Sequence, residues 1–333
     1  MKLANLSKAS GFLAAGALLL AGCGATNTGE GEAPADDNGA AEGGGSAWDV
    51  CDPSEDSVDL SQLEPEGGEI SIAVINGWDD TVTVGYLAKA LLEEAGYTPV
   101  MEAHDAGPAF LGTSQGDIDV LTSTMMPVAH AEYIDQYGDD LEAQGCYYEH
   151  AVNTLAVNED SPAQSIADLP EFAAEYGNRV VGIEPGAGLT QRVENEVIPG
   201  YGLEDYEFIT SSTPAMLAEL DSAVESGENI VVTLWHPHWA YDAWPVRDLE
   251  DPDAALGEGE SLWLTSRTGF TEDDPYAAQL LKNILLDEEQ FSSLQSLMMS
   301  EDHYGGEDPD AAVAEWLEEN PDYADQLRAG TLA

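Results

Sequence analysis

Apolar positions along the chain fall into two series of alternating strand and helix. Residues 69–75 are apolar and β-branched and predict a strand. Over 81–95 the apolar side chains recur at helical spacing, at Val84, Leu87, Ala88, Leu91 and Leu92. Asp79 or Asp80 is placed to cap that helix and Gly96 to end it. A second strand is predicted at 97–103, a short helix at 108–114 and a third strand at 118–121. This β-α-β-α-β alternation implies a parallel sheet with right-handed crossovers. The pattern then repeats: strand 179–183, helix 188–197, strand 206–209, helix 213–226 with Thr213 as cap and Pro214 in its first turn, strand 230–233. Helical patterns over 277–286, 288–299 and 310–319 follow. Two such units in one chain predict two lobes.

The first residues follow a different pattern. Lys2 and Lys8 precede an apolar run from Phe12 to Leu20, then Ala21-Gly22-Cys23. A charged start, a short apolar run and small residues before a cleavage point are the parts of a secretory signal. Leu20-Ala21-Gly22-Cys23 resembles a bacterial lipobox, which implies a signal peptide at 1–22, lipidation of Cys23 and a membrane anchor. The alternative is an ordinary signal peptide with an incidental cysteine. The apolar run is too short to span a bilayer. From 23 to 68 the composition shifts to Gly, Ala, Glu, Asp, Asn and Ser, with Gly43-Gly44-Gly45 inside it. Such a stretch buries too little apolar surface to offset its ordering entropy, and predicts a flexible acidic, Gly-rich tether.

Charge narrows the partners. The sequence has 65 acidic and 9 basic residues, a formal net charge of −56. A chain this acidic is excluded from binding nucleic acid through its phosphates. The acids are spread over the whole length, as on a solvated surface. Their mutual repulsion falls where the Debye length is short, which suits a high-salt habitat. The melting temperature is therefore expected to rise as salt is raised from low to molar concentration. A fall in a differential scanning calorimetry series would count against that habitat. With Cys23 assigned to lipid, Cys51 and Cys146 remain, and an even pair outside the membrane suggests a disulfide; two free thiols are the alternative.

The chemistry concentrates around Leu234-Trp235-His236-Pro237-His238-Trp239. A β-branched strand leads into it, and ligands of open α/β sheets bind beyond the carboxyl ends of strands. Large π faces there suit a cation that makes few hydrogen bonds. The segment resembles one in the glycine-betaine substrate-binding proteins of ABC importers. Further stretches fit the same family: Asn76-Gly77-Trp78-Asp79, Gly116-Asp117-Ile118-Asp119, Met126-Pro127-Val128-Ala129-His130, Glu184-Pro185-Gly186-Ala187-Gly188-Leu189 and Ser212-Thr213-Pro214-Ala215-Met216. The resemblance runs from about residue 69 to the C-terminus.

The resemblance implies an α/β, two-lobed periplasmic binding protein fold of type II kind, with parallel-rich sheets flanked by helices and a hinge between lobes. The first lobe would comprise 69–155 and 238–333, and the second, inserted, 156–237. It implies an ammonium cage of Trp78 and Trp235, with Met125 where relatives carry a third Trp. Met packs well but lacks an aromatic quadrupole, so Tyr86, Trp239 or Tyr241 could complete the box, and choline, carnitine and sulfonium betaines stay open beside glycine betaine. The ligand's carboxylate would be held by His130 and by the backbone N–H groups of Gly188 and Leu189, at a Gly-rich turn that opens a helix. Asp79 would either cap its helix or add negative charge to the cage. The implied partners are a small zwitterionic or cationic ligand and an ABC permease with its ATPase; no cofactor is implied. A metal-binding lipoprotein is the rival, through His236 and His238 with His104, His130 and His150, but Pro237 interrupts the extended spacing that would aim the first two together. No nucleophile elbow, P-loop or Cys–His arrangement points to an enzyme.

Overall fold

The structure, a computed structural model, describes Trp48, Cys51 and residues 57–332. The expected signal peptide, Cys23 and most of the expected tether lie outside the described residues. Among the described residues there are nine strands: β1 (Gly68–Ile75), β2 (Tyr97–His104), β3 (Val120–Met126), β4 (Leu141–Asn158), β5 (Arg179–Gly182), β6 (Glu207–Thr210), β7 (Val231–His236), β8 (Val246–Asp248) and β9 (Glu260–Arg267). Their order is β2-β1-β3-β9-β4-β7-β5-β6, with β8 on β4. The expected parallel pairing holds on the flanks, where β1 joins β2 and β3, and β5 joins β6 and β7. The centre departs from it: β3–β9, β9–β4 and β4–β7 are antiparallel. The chain leaves one half of the sheet along β4 and returns along β9, so these two strands run in opposite directions.

β4 is the bridge. It pairs with β9 up to Ala151 and with β7 from Val152 onward. β8 pairs with the far end of β4, at Ala156–Asn158, and β9 pairs again in the first half of the sheet.

The main helices are α1 (Asp79–Glu94), α2 (Ala106–Gln115), α3 (Ala131–Tyr137), α4 (Gly188–Arg192), α5 (Thr213–Ser226), α6 (Pro275–Lys282), α7 (Glu288–Met299), α8 (Pro309–Glu319) and α9 (Tyr323–Ala329). All five apolar positions predicted for α1 are buried, in one core with residues of α6, α7 and α8 such as Leu281, Phe291 and Trp316. Each fully buried leucine there contributes ~1.5–3 kcal/mol over an exposed one. A second core gathers β5, β7, α5 and the inner face of α2.

Three local expectations are corrected. Helix α1 begins at Asp79, so its N-cap position falls on Trp78 and on neither Asp79 nor Asp80. Ser212, not Thr213, caps α5, its side chain accepting from the Ala215 N–H. The end of the expected tether is packed rather than free. Trp48 is buried edge-on against Trp263, with ring centroids 6.0 Å apart, and Leu60 enters the core. Cys51 is disulfide-bonded to Cys146 of β4. Val58 exchanges two backbone hydrogen bonds with the Asn283 side chain. An averaged polar composition hides these few apolar side chains and the cross-link.

Candidate functional site

The C-terminal ends of β1, β3, β5 and β7 converge where the two halves of the sheet face each other. Trp78 follows the turn after β1, where its N–H bonds the Ile75 carbonyl at 3.1 Å and the Thr81 hydroxyl accepts from the Ile75 N–H at 2.9 Å. Trp235 ends β7. Met125 lies on β3, His130 in the turn before α3, and Gly188 and Leu189 open α4. All six side chains or backbone positions singled out in the sequence line one cavity. Asp80, Ser123, Ala129, Asn153, Ile183, Ala187 and Leu262 complete its walls.

Each wall is held from behind. His130 accepts a hydrogen bond from the Met125 N–H on Nδ1 at 2.8 Å, and its own N–H bonds the Met125 carbonyl at 3.0 Å. Burial holds its pKa down at about 4, so at neutral pH the ring is uncharged. An acceptor Nδ1 leaves Nε2 as the N–H donor. The imidazole lies parallel to the Trp78 indole at 5.4 Å. The turn that carries His130 is fixed by buried Glu260, which accepts from the Val128 and Ala129 N–H groups at 2.7 and 2.8 Å and from Asn153 Nδ2 at 3.2 Å. Burial raises the Glu260 pKa against those bonds. The Met126-Pro127 and His236-Pro237 bonds bordering the site are both cis.

The two halves meet closely here. A Cβ built on Gly188 would lie 1.8 Å from the Ala129 carbonyl oxygen, so only glycine lets these backbones touch. The Gly188 and Leu189 N–H groups are in the first turn of their helix and have no intrahelical acceptor.

Asp80, which the sequence suggests only as a helix cap, is an acidic wall residue. Its carboxyl is 3% exposed and reaches the cavity from the first turn of α1. Burial pushes its pKa up to about 6, opposed by hydrogen bonding from Ser123 and from the Trp235 indole. Its position, two residues past Trp78 at a helix start, was the available signal, but 65 acids dilute it. Asp79, considered for the cage, turns away and accepts from the Trp239 indole N–H. The alternative rings also lie elsewhere: Tyr241 bonds Asp248 and Thr154, and Tyr86 lies under Lys89. The two imidazoles of the metal reading are separately engaged, His236 with Asp248 at 2.8 Å and His238 with the Ala240 N–H. Among the described residues no group of three or more His, Cys, Asp or Glu is placed to hold a metal.

Two sheet halves bridged by one long strand, closing on an aromatic-walled cavity, define a solute-binding protein of the kind that serves ABC transporters. More particularly, the chain belongs to the OpuAC family, the substrate-binding domain of ABC-type glycine betaine transport systems, whose model matches residues 68–319. This is a family of transport binding domains rather than of enzymes. The chain is 35% identical over 164 residues to the glycine betaine/carnitine transport binding protein GbuC of Listeria monocytogenes serotype 1/2a (strain 10403S), a match covering 49% of this chain and 52% of that protein. The chain thus aligns with about half of that relative's length. A lactococcal OpuAC in its closed-liganded conformation with glycine betaine shares the fold, with a TM-score of 0.72 at 24% identity over 78% of this chain and 99% of that one. An ABC-transporter choline-binding protein in complex with choline gives a TM-score of 0.72 at 25% identity over 79% of this chain and 92% of that one. The expected periplasmic binding protein fold is therefore present.

Proposed function

We propose that this chain captures a quaternary ammonium solute in the cavity and delivers it to an ABC permease outside the cytoplasm, tethered through a lipid on Cys23. The observation that carries this is the convergence of Trp78, Trp235 and buried Asp80 on one cavity that His130 and Gly188 also line. A methylated ammonium carries diffuse charge and no N–H donor. Indole faces stabilise it by ~0.5–2 kcal/mol per ring, depending on desolvation, and Met125 fills the remaining wall. In glycine betaine the carboxylate would take the Nε2–H of neutral His130 and the free N–H groups of Gly188 and Leu189.

Trp78, Met125 and His130 belong to one half of the sheet, and Gly188, Leu189 and Trp235 to the other. A ligand touching both is bound mainly in the closed form and shifts the balance toward it. The lobes of this clamshell are the two sheet halves, and the natural hinge is the Ala151–Val152 point of β4 with the segment leading into β9. Choline is a second reading, favoured by Asp80: a buried carboxylate beside the cage stabilises a net cation more than a zwitterion.

Isothermal titration with glycine betaine, proline betaine, carnitine, choline, a sulfonium betaine and proline tests the reading. At least one quaternary or sulfonium compound is expected to bind, with proline weakest. Trp78→Ala and Trp235→Ala are each expected to weaken the best ligand by about tenfold or more, the loss of one desolvated cation–π contact. Unchanged affinity in both variants would remove the cage.

A further inference from the structure

We propose that Glu184 is the latch of the closed form, a positioning residue that ties the Trp78 wall of the cage to the opposite half of the molecule. This rests on the cage reading above and extends it to a residue outside the cavity lining. Glu184 follows β5, in the half that carries Trp235, whereas Trp78 follows β1 in the other half. The Trp78 indole N–H donates to Glu184 Oε1. The second oxygen, Oε2, accepts from the Thr213 N–H and the Thr213 hydroxyl, both at 3.2 Å. One carboxylate thus joins a cage tryptophan to the first turn of the 14-residue helix α5, where the helix dipole favours negative charge.

The surroundings show that this is a seam. A Cβ on Gly77 would meet Pro214 Cδ at 3.1 Å and Thr213 Cβ at 3.3 Å, so the turn before Trp78 lies directly on the start of α5. On the same seam the Tyr133 hydroxyl donates to the Gly186 carbonyl at 2.9 Å, two residues beyond Glu184. Opening the halves breaks the Trp78 bond while the Thr213 bonds, which lie within one half, persist. The preformed acceptor therefore waits for the indole at closure. It also sets the ring plane, because an indole has a single N–H and that donor fixes its rotation. An interaction made only after closure slows release and leaves capture unchanged.

The test measures association and dissociation of choline and glycine betaine by stopped-flow tryptophan fluorescence, using the full chain and its Glu184→Ala and Glu184→Gln variants. A parallel experiment follows hydrogen exchange of the Trp78 indole N–H in 15N-tryptophan protein saturated with whichever of the two compounds binds. Glu184→Ala is expected to raise the dissociation rate about tenfold or more with the association rate within about threefold. Glu184→Gln, which keeps the shape but loses the charge assistance, is expected to fall between. Exchange at Trp78 should quicken by about tenfold in the alanine variant, with the Trp316 indole, bonded to Ser293 far from the seam, unchanged. Unaltered exchange at Trp78 overturns the latch, as does a loss of affinity carried by the association rate. If the wild-type chain binds neither compound, the cage reading falls and the latch with it, whereas unaltered exchange in a chain that does bind overturns the latch alone.

Discussion

Replacing Gly188 with alanine is expected to weaken ligand binding about a hundredfold or more, some 2.8 kcal/mol, without preventing folding. The added methyl carbon would sit 1.8 Å from the Ala129 carbonyl oxygen. Both atoms involved are main-chain or fixed to it, so no side-chain rotation relieves the overlap; the two segments must separate. Those segments carry the ligand's contacts on both sides. Ala129 precedes His130 and is pinned through its own N–H to Glu260, while Gly188 and Leu189 offer their N–H groups to the ligand's acid end. Moving them apart lengthens several contacts together, and overpacking of this kind by itself costs ~1–3 kcal/mol. Gly186→Ala is the matched control, since a Cβ there meets only the Tyr133 hydroxyl at 3.9 Å. It should leave affinity within about twofold. Titration of both variants, with thermal melts to establish folding, checks the prediction. Wild-type affinity in Gly188→Ala would mean that binding does not require the halves to approach as closely as they do here.

The contrast between Gly188 and Asp80 explains what could be read before the fold was known. His130, Trp78 and Trp235 are scarce residue types and Gly188 sits in a short, distinctive Gly-rich turn, so each marks its own position, and the fold brings all four to one cavity. Asp80, Glu184 and Glu260 do comparable structural work there, yet they are acids in a chain with 65 of them. Their meaning comes from burial and from partners distant in sequence, such as Thr213 for Glu184 and Ala129 for Glu260. Secondary structure divides in the same way. The parallel flanks and α1 carry clean periodicity and follow the sequence within a few residues. β4 and β9 do not, because their pairing slips at three points between Ala143 and Ala151, so the two-residue alternation of a strand is broken. These irregular strands set the sheet order, and so the local pattern gave the pieces and not the antiparallel centre. Through that centre β9 joins β3 to β4.

Asp80→Asn is expected to weaken choline binding by about thirtyfold, some 2 kcal/mol, and to remove most of its pH dependence. Two unit charges ~4 Å apart at an effective dielectric of ~20 attract by ~4 kcal/mol, and the residual cost of keeping a carboxylate buried offsets about half of that. Burial has already raised the Asp80 pKa from 3.8 to about 6, so the ligand-free chain holds this group partly at its own expense. For a raised carboxyl the sign is that stability falls as pH climbs from about 4 through 6. An arriving cation reverses that cost by favouring the ionised form. Choline affinity should then be full above about pH 7 and decline as pH drops through 6, with protonation of Asp80. His130 and His238, held down at about 4 and about 3, stay neutral throughout this window and do not contribute. Asp79, raised to about 7 by burial and next to Asp80 in the chain, titrates in the same window, which makes Asp79→Asn the necessary companion: it should lower choline affinity far less and retain the decline near pH 6. Glycine betaine, whose carboxylate offsets its ammonium, should lose less than choline in Asp80→Asn, so the ratio of the two affinities shifts toward the zwitterion. Titrations of both ligands at pH 5, 6, 7 and 8 on the three chains decide the matter. A choline profile in Asp80→Asn that still falls with acid, or equal losses for both ligands, would assign the charge recognition to another group.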